Sequence, residues 1–142
     1  MDPFRTAIET YSRTLEDTDA GSLTRLLDLC AETIEFRDPF NHTFTKQAFS
    51  IVLEHMFKTV QGLKFEVHNI IGEDRLWVLK WTFTGKIKPI GEVKIVGLTE
   101  VALNEEAQVI RHIDYWDSGE EVYSKVPVLG ALIRLIRSRA SA

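Results

Sequence analysis

Several features that would narrow the class of protein are missing from this sequence. It has one cysteine, Cys30, so no internal disulfide can form and no oxidising compartment is required. No apolar run approaches the ~20 residues of a membrane-spanning helix. The start, MDPFRTAIET, has no basic segment followed by an apolar one, so no signal peptide is expected. These absences predict a cytoplasmic protein.

A net positive charge is also missing. The 17 Lys and Arg are outnumbered by 21 Asp and Glu, which gives a net charge of -4. Phosphate recognition depends on accumulated basic residues, so we expect no nucleic-acid partner. There is no glycine-rich phosphate loop and no nucleophile elbow. His42, His55 and His68 have no spacing that would gather metal ligands, so we predict neither a metal site nor a cofactor.

The apolar pattern divides the chain into helices followed by strands. Helical spacing predicts a helix over residues 2–17, a shorter one over 22–30 with Ser22 as its cap, and a long one over 45–60 that begins at Thr45. Cys30, on the stripe of the second helix, is expected to be a buried small hydrophobe rather than a reactive thiol. Alternation then predicts strands over residues 34–38, 63–71, 76–84, 93–103 and 109–117.

This order predicts an α+β domain in which helices pack against one face of a curved antiparallel sheet. The amphipathic tail, residues 127–142, is assigned to the same domain. Its helical pattern allows a lid over a cavity, part of a dimer contact, or a helix that makes weak contact with a membrane surface.

The closing strand, VIRHIDYWD at 109–117, carries polar groups along an otherwise apolar segment. Such groups are unusual unless something binds there, so we predict that this strand lines a ligand cavity. His112 and Asp114 could pair so that the carboxylate orients the imidazole. Alternation puts Ile110, His112, Asp114 and Trp116 on one face and Val109, Arg111, Ile113 and Tyr115 on the other.

A second candidate group is Asp38, which ends the segment IEFRDP at 34–39. Ile34 and Phe36 share its face, and Pro39 biases it towards an extended backbone. A carboxylate beside Phe36 could be a base whose pKa is raised by burial. The same spacing also allows an Asx-type turn or a cap for the next helix.

Four segments in this order resemble the nuclear transport factor 2-like cone fold and, within it, the SnoaL-like group. That group includes ketosteroid isomerases, limonene epoxide hydrolases and polyketide cyclases. The segments are the helix pair ending in Gly21-Ser22-Leu23, the stretch IEFRDP, the long helix and VIRHIDYWD. The resemblance covers residues 1–126. It implies a cone that opens into a mostly apolar cavity, and a homodimer through the outer face of the sheet.

The resemblance also suggests roles for individual residues. Asp38 resembles the general base of ketosteroid isomerases, and Tyr11 lies near the position of their oxyanion-hole tyrosine. Thr99 stands where they carry a protonated aspartic acid; its hydroxyl is a weaker donor, which argues against steroid isomerisation. Asp114 resembles one aspartate of the Asp-Arg-Asp set of epoxide hydrolases, whose other members would fall near Gly97 and Thr99 and are absent.

SnoaL-type cyclases use an inward His and Asp for proton transfer, as His112 and Asp114 could do. We therefore predict binding of a small, mostly apolar molecule, with possible cofactor-independent isomerase, cyclase or hydratase/hydrolase chemistry. The alternative is a non-catalytic ligand-binding or protein-interaction module of the same fold. The candidate catalytic residues are Asp38, His112 and Asp114, and the candidate ligand-binding residues are Tyr11, Phe36, Trp81, Thr99 and Trp116.

Overall fold

The computed structural model describes residues 2–117, and the structural statements below concern that part of the chain. Three helices precede or interrupt a six-stranded sheet that curls without closing. The predicted α+β class is confirmed. The helices are α1 (Pro3–Asp17), α2 (Leu23–Leu27) and α3 (Lys46–Thr59). The strands are β1 (Cys30–Arg37), β2 (His42–Thr43), β3 (Val60–Glu73), β4 (Leu76–Ile87), β5 (Gly91–Leu103) and β6 (Val109–Tyr115). The predicted tail, residues 127–142, lies outside the described residues.

The two long helices begin where their capping residues predict. The Asp2 side chain accepts a hydrogen bond from the Phe4 amide at 2.9 Å, and Pro3 follows as the first helical residue. The Thr45 hydroxyl accepts from the Ala48 amide at 3.1 Å. Because these caps depend only on neighbouring residues, the sequence predicts both helix starts correctly.

The second helix is shorter than predicted. The Ser22 hydroxyl makes no capping bond to α2 and accepts instead from the Asp19 amide. The helix ends at Leu27, and Cys30 is the first residue of β1, where it pairs with Val109. The predicted helix through Cys30 is therefore wrong, because pairing with β6 outweighs the helical spacing. Cys30 is fully buried, as expected.

The sheet has the strand order β2-β1-β6-β5-β4-β3. Neighbouring strands run antiparallel except β1 and β6, which are parallel. On β4, Trp77, Leu79 and Trp81 alternate into the core, and on β5 every second residue from Val93 to Val101 is buried. Helices α1 and α3 pack against this curled sheet.

A β-bulge in β6 corrects the predicted alternation. Val109 lies opposite Leu103, whereas Arg111 lies opposite the adjacent Ala102, so Ile110 is the extra residue. Val109 is 1% exposed and joins Leu103 in the core, although alternation had placed it on the opposite face from His112. From Arg111 onwards the predicted order holds, with Arg111 exposed and His112 buried.

Within residues 2–117, no helix combines the length and hydropathy needed to cross a bilayer.

Candidate functional site

A cavity of about 680 Å³ lies between α3 and the inner face of the sheet. Its wall is mostly apolar. Helix α3 contributes side chains such as Leu53 and Met56, and the long strands contribute Phe65 and Ile95. A cavity of this size lies within the range that holds small organic ligands.

Most of the predicted site residues reach this cavity. Those that line it are Phe36, Asp38, Trp81, His112, Asp114 and Trp116. Tyr11 and Thr99 do not, since both are 0% exposed. They lie behind the wall and form hydrogen bonds to residues that line it.

His112 is held between two polar partners. Its Nδ1 lies 2.7 Å from the Tyr11 hydroxyl, and its Nε2 lies 3.0 Å from Oδ1 of Asp114. The pairing of His112 with Asp114 predicted from their spacing on one strand face is therefore present. A carboxylate can only accept, so we assign the imidazole proton to Nε2, and Nδ1 then accepts from Tyr11.

The sheet register brings a second pair to the same carboxylate. Thr99 of β5 is directly opposite Asp114 of β6, and its hydroxyl lies 2.6 Å from Oδ1 of Asp114. Nε1 of Trp81 lies 2.7 Å from Oγ1 of Thr99. An indole N–H can only donate, so the Thr99 hydroxyl accepts there and donates its own proton to Asp114. Two chains of hydrogen bonds, from Tyr11 through His112 and from Trp81 through Thr99, therefore end at the Asp114 carboxylate.

Gly97 makes room for this arrangement. It lies opposite Trp81 across β4 and β5, and a Cβ added there would lie 2.5 Å from Cη2 of the indole. The missing side chain lets the indole lie close to β5 and reach Thr99. One member of the epoxide hydrolase set would fall near this glycine, and in this structure the space beside it holds the Trp81 ring.

Only one of the two carboxylate oxygens of Asp114 takes part in these hydrogen bonds. Both of its hydrogen bonds are accepted by Oδ1, and Oδ2 has no hydrogen-bond partner among residues 2–117. The Asp114 side chain is 20% exposed. A ligand in the cavity can therefore meet an oriented carboxylate whose second oxygen is available.

Asp38 combines the two interpretations that its sequence allowed. Its Oδ1 accepts from the amides of Phe40 at 2.8 Å and Asn41 at 2.6 Å, which is an Asx-type turn, and the Asn41 side chain also donates to it. At the same time Asp38 lines the cavity. Burial raises the pKa of Asp38 above its usual value, these hydrogen bonds oppose the rise, and the negative charge of Asp114 adds to it.

The cavity lining also includes residues that were not predicted as site residues, among them Phe40, Asn41 and His55. Asn41 holds Asp38, and the Phe40 ring lies edge-on to Trp116 with 5.7 Å between ring centroids. His55 of α3 is exposed, as predicted, and also lines the cavity. The sequence indicated the turn after Asp38 but not that Phe40 and Asn41 would face the cavity with it.

Two ionisable groups behind the wall are held in their neutral forms. Burial, together with the nearby Cys30 and Asp114, raises the pKa of the Tyr11 hydroxyl well above its ordinary value. Burial also raises the pKa of the Cys30 thiol to about 12. Among the residues described, no group of three or more His, Cys, Asp or Glu could hold a metal ion.

Comparison with solved structures gives the class of protein. An NTF2-like protein of unknown function from Exiguobacterium sp. 255-15 matches at 16% identity with a TM-score of 0.69, covering 78% of this chain and 98% of that one. A hypothetical protein with a ketosteroid isomerase-like fold from Catenulispora acidiphila DSM 44928 matches at 11% identity with a TM-score of 0.70, covering 84% of this chain and 90% of that one. An LEH-like epoxide hydrolase from M. tuberculosis matches at 16% identity with a TM-score of 0.65, covering 90% of this chain and 92% of that one. The fold is therefore NTF2-like.

The family follows from the sequence. The family model for the SnoaL-like domain matches residues 9–118, well over half of the chain. The chain belongs to the SnoaL-like family, which confirms the resemblance found in its motifs. A comparison with curated proteins finds no match.

Proposed function

We propose that this protein binds a small, mostly apolar molecule in its cavity and catalyses a proton transfer on it without a cofactor, as an isomerase, a cyclase or a hydratase/hydrolase. One observation carries this proposal: Asp38, His112 and Asp114 meet the same cavity, whose remaining wall is largely apolar. Ionisable groups that converge in an apolar pocket are typical of catalytic sites.

In this proposal Asp38 is the base. Burial raises its pKa towards the working range of a general base, which makes its carboxylate a better proton acceptor than an exposed aspartate. Asp114 is the second carboxylate and reaches the substrate through Oδ2. His112 and Thr99 orient it through their bonds to Oδ1. Two carboxylates on one ligand allow a proton to leave one position of the substrate and return at another.

The binding step can be tested without knowing the substrate. A native mass spectrum of the purified full chain is expected to include a species heavier than the protein by the mass of a small organic molecule. That molecule, once identified, can be incubated with the protein in D2O. We expect the wild type to exchange a carbon-bound proton of the ligand for deuterium and the Asp38→Asn variant to lose this exchange.

A matched control is Glu35→Gln. Glu35 lies on β1 and bonds to His42 and Arg111, outside the residues that line the cavity. Exchange that is equally fast with wild type and Asp38→Asn would contradict the role of Asp38. A cavity that binds none of a broad panel of apolar molecules, with no co-purified mass, would contradict the proposed function as a whole.

The alternative, a non-catalytic ligand-binding or protein-interaction module, also has an observation in its favour. Both nitrogens of His112 and three donors around Asp38 are already satisfied within the protein. Polar groups that need no ligand are compatible with a purely structural role. Under this alternative, a ligand that binds would show no exchange in D2O with any variant.

We further propose a homodimer through the outer face of the sheet. Val96, Leu98 and Tyr115 are exposed there, and Leu98 lies opposite Tyr115 across β5 and β6. Adjacent exposed apolar side chains are typical of interaction surfaces. Light scattering on the full chain is expected to give the mass of a dimer. The Leu98→Lys variant should be monomeric, and a monomeric wild type would contradict the proposal.

A further inference from the structure

The charged side chains that face the cavity are all of one sign. Asp38 and Asp114 line it, and no Lys or Arg of residues 2–117 does so. The other titratable side chains on its wall within that range are His55 and His112. Two carboxylates in a largely apolar cavity repel each other, and water screens that repulsion poorly there.

Little within the described part of the chain offsets these charges. Asp38 forms no ion pair among residues 2–117, and Asp114 is paired only with His112. On the partners assigned above, His112 donates to Asp114 from Nε2 and accepts from Tyr11 at Nδ1. Burial is the main cause of the raised pKa of Asp38, and the negative charge of Asp114 adds to it.

Four hydrogen-bond donors of residues 2–117 at this end of the cavity are already used within the protein. The N–H of His112 and the hydroxyl of Thr99 both donate to Asp114. The hydroxyl of Tyr11 donates to His112, and the indole N–H of Trp81 donates to Thr99. An anion, or an oxyanion formed during a reaction, would meet two carboxylates and find each of these donors already used.

Aromatic side chains line the same cavity as the two carboxylates. Phe36, Phe40 and Trp116 line the cavity together with them, and Trp81 lines it beside Thr99. The faces of aromatic rings attract cations as well as apolar groups. The rest of the wall is mostly apolar and can take an uncharged carbon skeleton.

We propose that the ligand is a hydrophobic amine in its protonated form, with its ammonium group between Asp38 and Asp114 and its apolar body against α3 and the sheet. This inference rests on the proposed binding function of the cavity and names the class of molecule that it takes.

The test uses three probes with the same rigid skeleton and different head groups: 1-aminoadamantane, 1-adamantanol and adamantane-1-carboxylate. Their affinities for the full chain are measured by calorimetry near neutral pH, where the amine is protonated. We expect the amine to bind at least about tenfold more tightly than the alcohol, and the carboxylate to bind most weakly.

Variants of the two carboxylates test whether they cause the preference for the amine. Asp114→Asn and, separately, Asp38→Asn remove one charge each with little change of shape. Each is expected to bring the affinity of the amine close to that of the alcohol measured on the same variant. Glu35→Gln removes a carboxylate outside the cavity lining and should keep the preference, which excludes a general effect of the net charge.

The possible failures can be told apart. An alcohol that binds as tightly as the amine overturns the inference and leaves the proposed function standing. A preference for the amine that survives in both Asp38→Asn and Asp114→Asn overturns the location of its ammonium group. No measurable binding of any of the three probes overturns this inference and counts against the proposed function as well.

Discussion

Nε1 of Trp81 lies 2.7 Å from Oγ1 of Thr99, and this bond fixes the direction of the hydrogen bonds behind the cavity wall. Since the indole can only donate, the hydroxyl of Thr99 must accept from it and donate to Asp114. Thr99 thereby connects a ring on the cavity wall to the carboxylate proposed to meet the ligand. Such a network is stabilising only while every member has its partner.

The Thr99→Val variant tests this connection. Valine has nearly the same shape but neither accepts from Trp81 nor donates to Asp114, so a buried donor and a carboxylate each lose a partner. We expect the free energy of unfolding to fall by about 1–3 kcal/mol, measured by urea denaturation. Thr99→Ser keeps the hydroxyl, so its free energy of unfolding should fall by less. A Thr99→Val variant as stable as the wild type would contradict the network.

Features set by neighbouring residues were predictable from the sequence. The caps at Asp2 and Thr45 bond to amides two and three residues away, and both helix starts were predicted. The strand over residues 76–84 was predicted for the same reason, because the side-chain period of a strand is local. The bulge that turns Val109 inwards depends on its pairing with Leu103, and no local pattern of β6 indicates it.

The candidate site was only partly predictable. The spacing of His112 and Asp114 on one strand gave their pairing, and their position in the cavity was predicted. Tyr11 bonds to His112 across 101 residues of sequence, so alternation could not show that its hydroxyl is used inside the protein. The same holds for Thr99, because whether its hydroxyl meets a ligand or Asp114 depends on the register of β5 against β6.

The pKa of Asp38 predicts how its replacement changes stability with pH. Because burial raises this pKa in the folded state, folding is favoured by the protonated form and opposed by the charged form. The stability that the protonated form contributes is fully present below the pKa of Asp38 in the unfolded state, near 3.8. It is lost as the pH rises through the pKa in the folded state. An asparagine side chain cannot titrate, so Asp38→Asn is expected to gain stability relative to the wild type as the pH rises from about 4 to 7.

Glu35 supplies a control of opposite sign. The hydrogen bond from His42, with the nearby charge of Arg111, lowers the pKa of Glu35, so its contribution to stability is present above the unfolded value near 4.5 and lost as the pH falls. Glu35→Gln should therefore lose stability relative to the wild type as the pH rises over the same range. Urea denaturation at several pH values measures both. Parallel pH dependences for the two variants would rule out the stated cause for Asp38.

Cys30 is expected to be inert in the folded protein. Its thiol is fully buried, and burial raises its pKa to about 12. At pH 8 only about one thiol in 10,000 is then ionised, against roughly a quarter of an exposed thiol. A disulfide reagent such as dithionitrobenzoate should therefore label native protein at least about a hundredfold more slowly than protein in urea. Equal labelling rates would mean that the thiol is accessible.

The close approach of Trp81 to Gly97 gives the last prediction. In Gly97→Ala the new Cβ would lie 2.5 Å from Cη2 of Trp81 and 3.0 Å from the Tyr115 carbonyl oxygen, so the indole must move towards the cavity. We expect a loss of about 1–3 kcal/mol in unfolding free energy, together with weaker binding of any ligand that contacts Trp81.

Gly21→Ala is the matched control for this substitution. Its Cβ would meet no atom closer than Oδ1 of Asp19 at 3.5 Å, so its stability should stay within about 0.5 kcal/mol of the wild type. Urea denaturation followed by tryptophan fluorescence measures both variants, because a displaced Trp81 also changes the emission of the native state. If Gly97→Ala behaves like Gly21→Ala in stability and in emission, the indole does not lie against β5, and the bond from Trp81 to Thr99 cannot form as described.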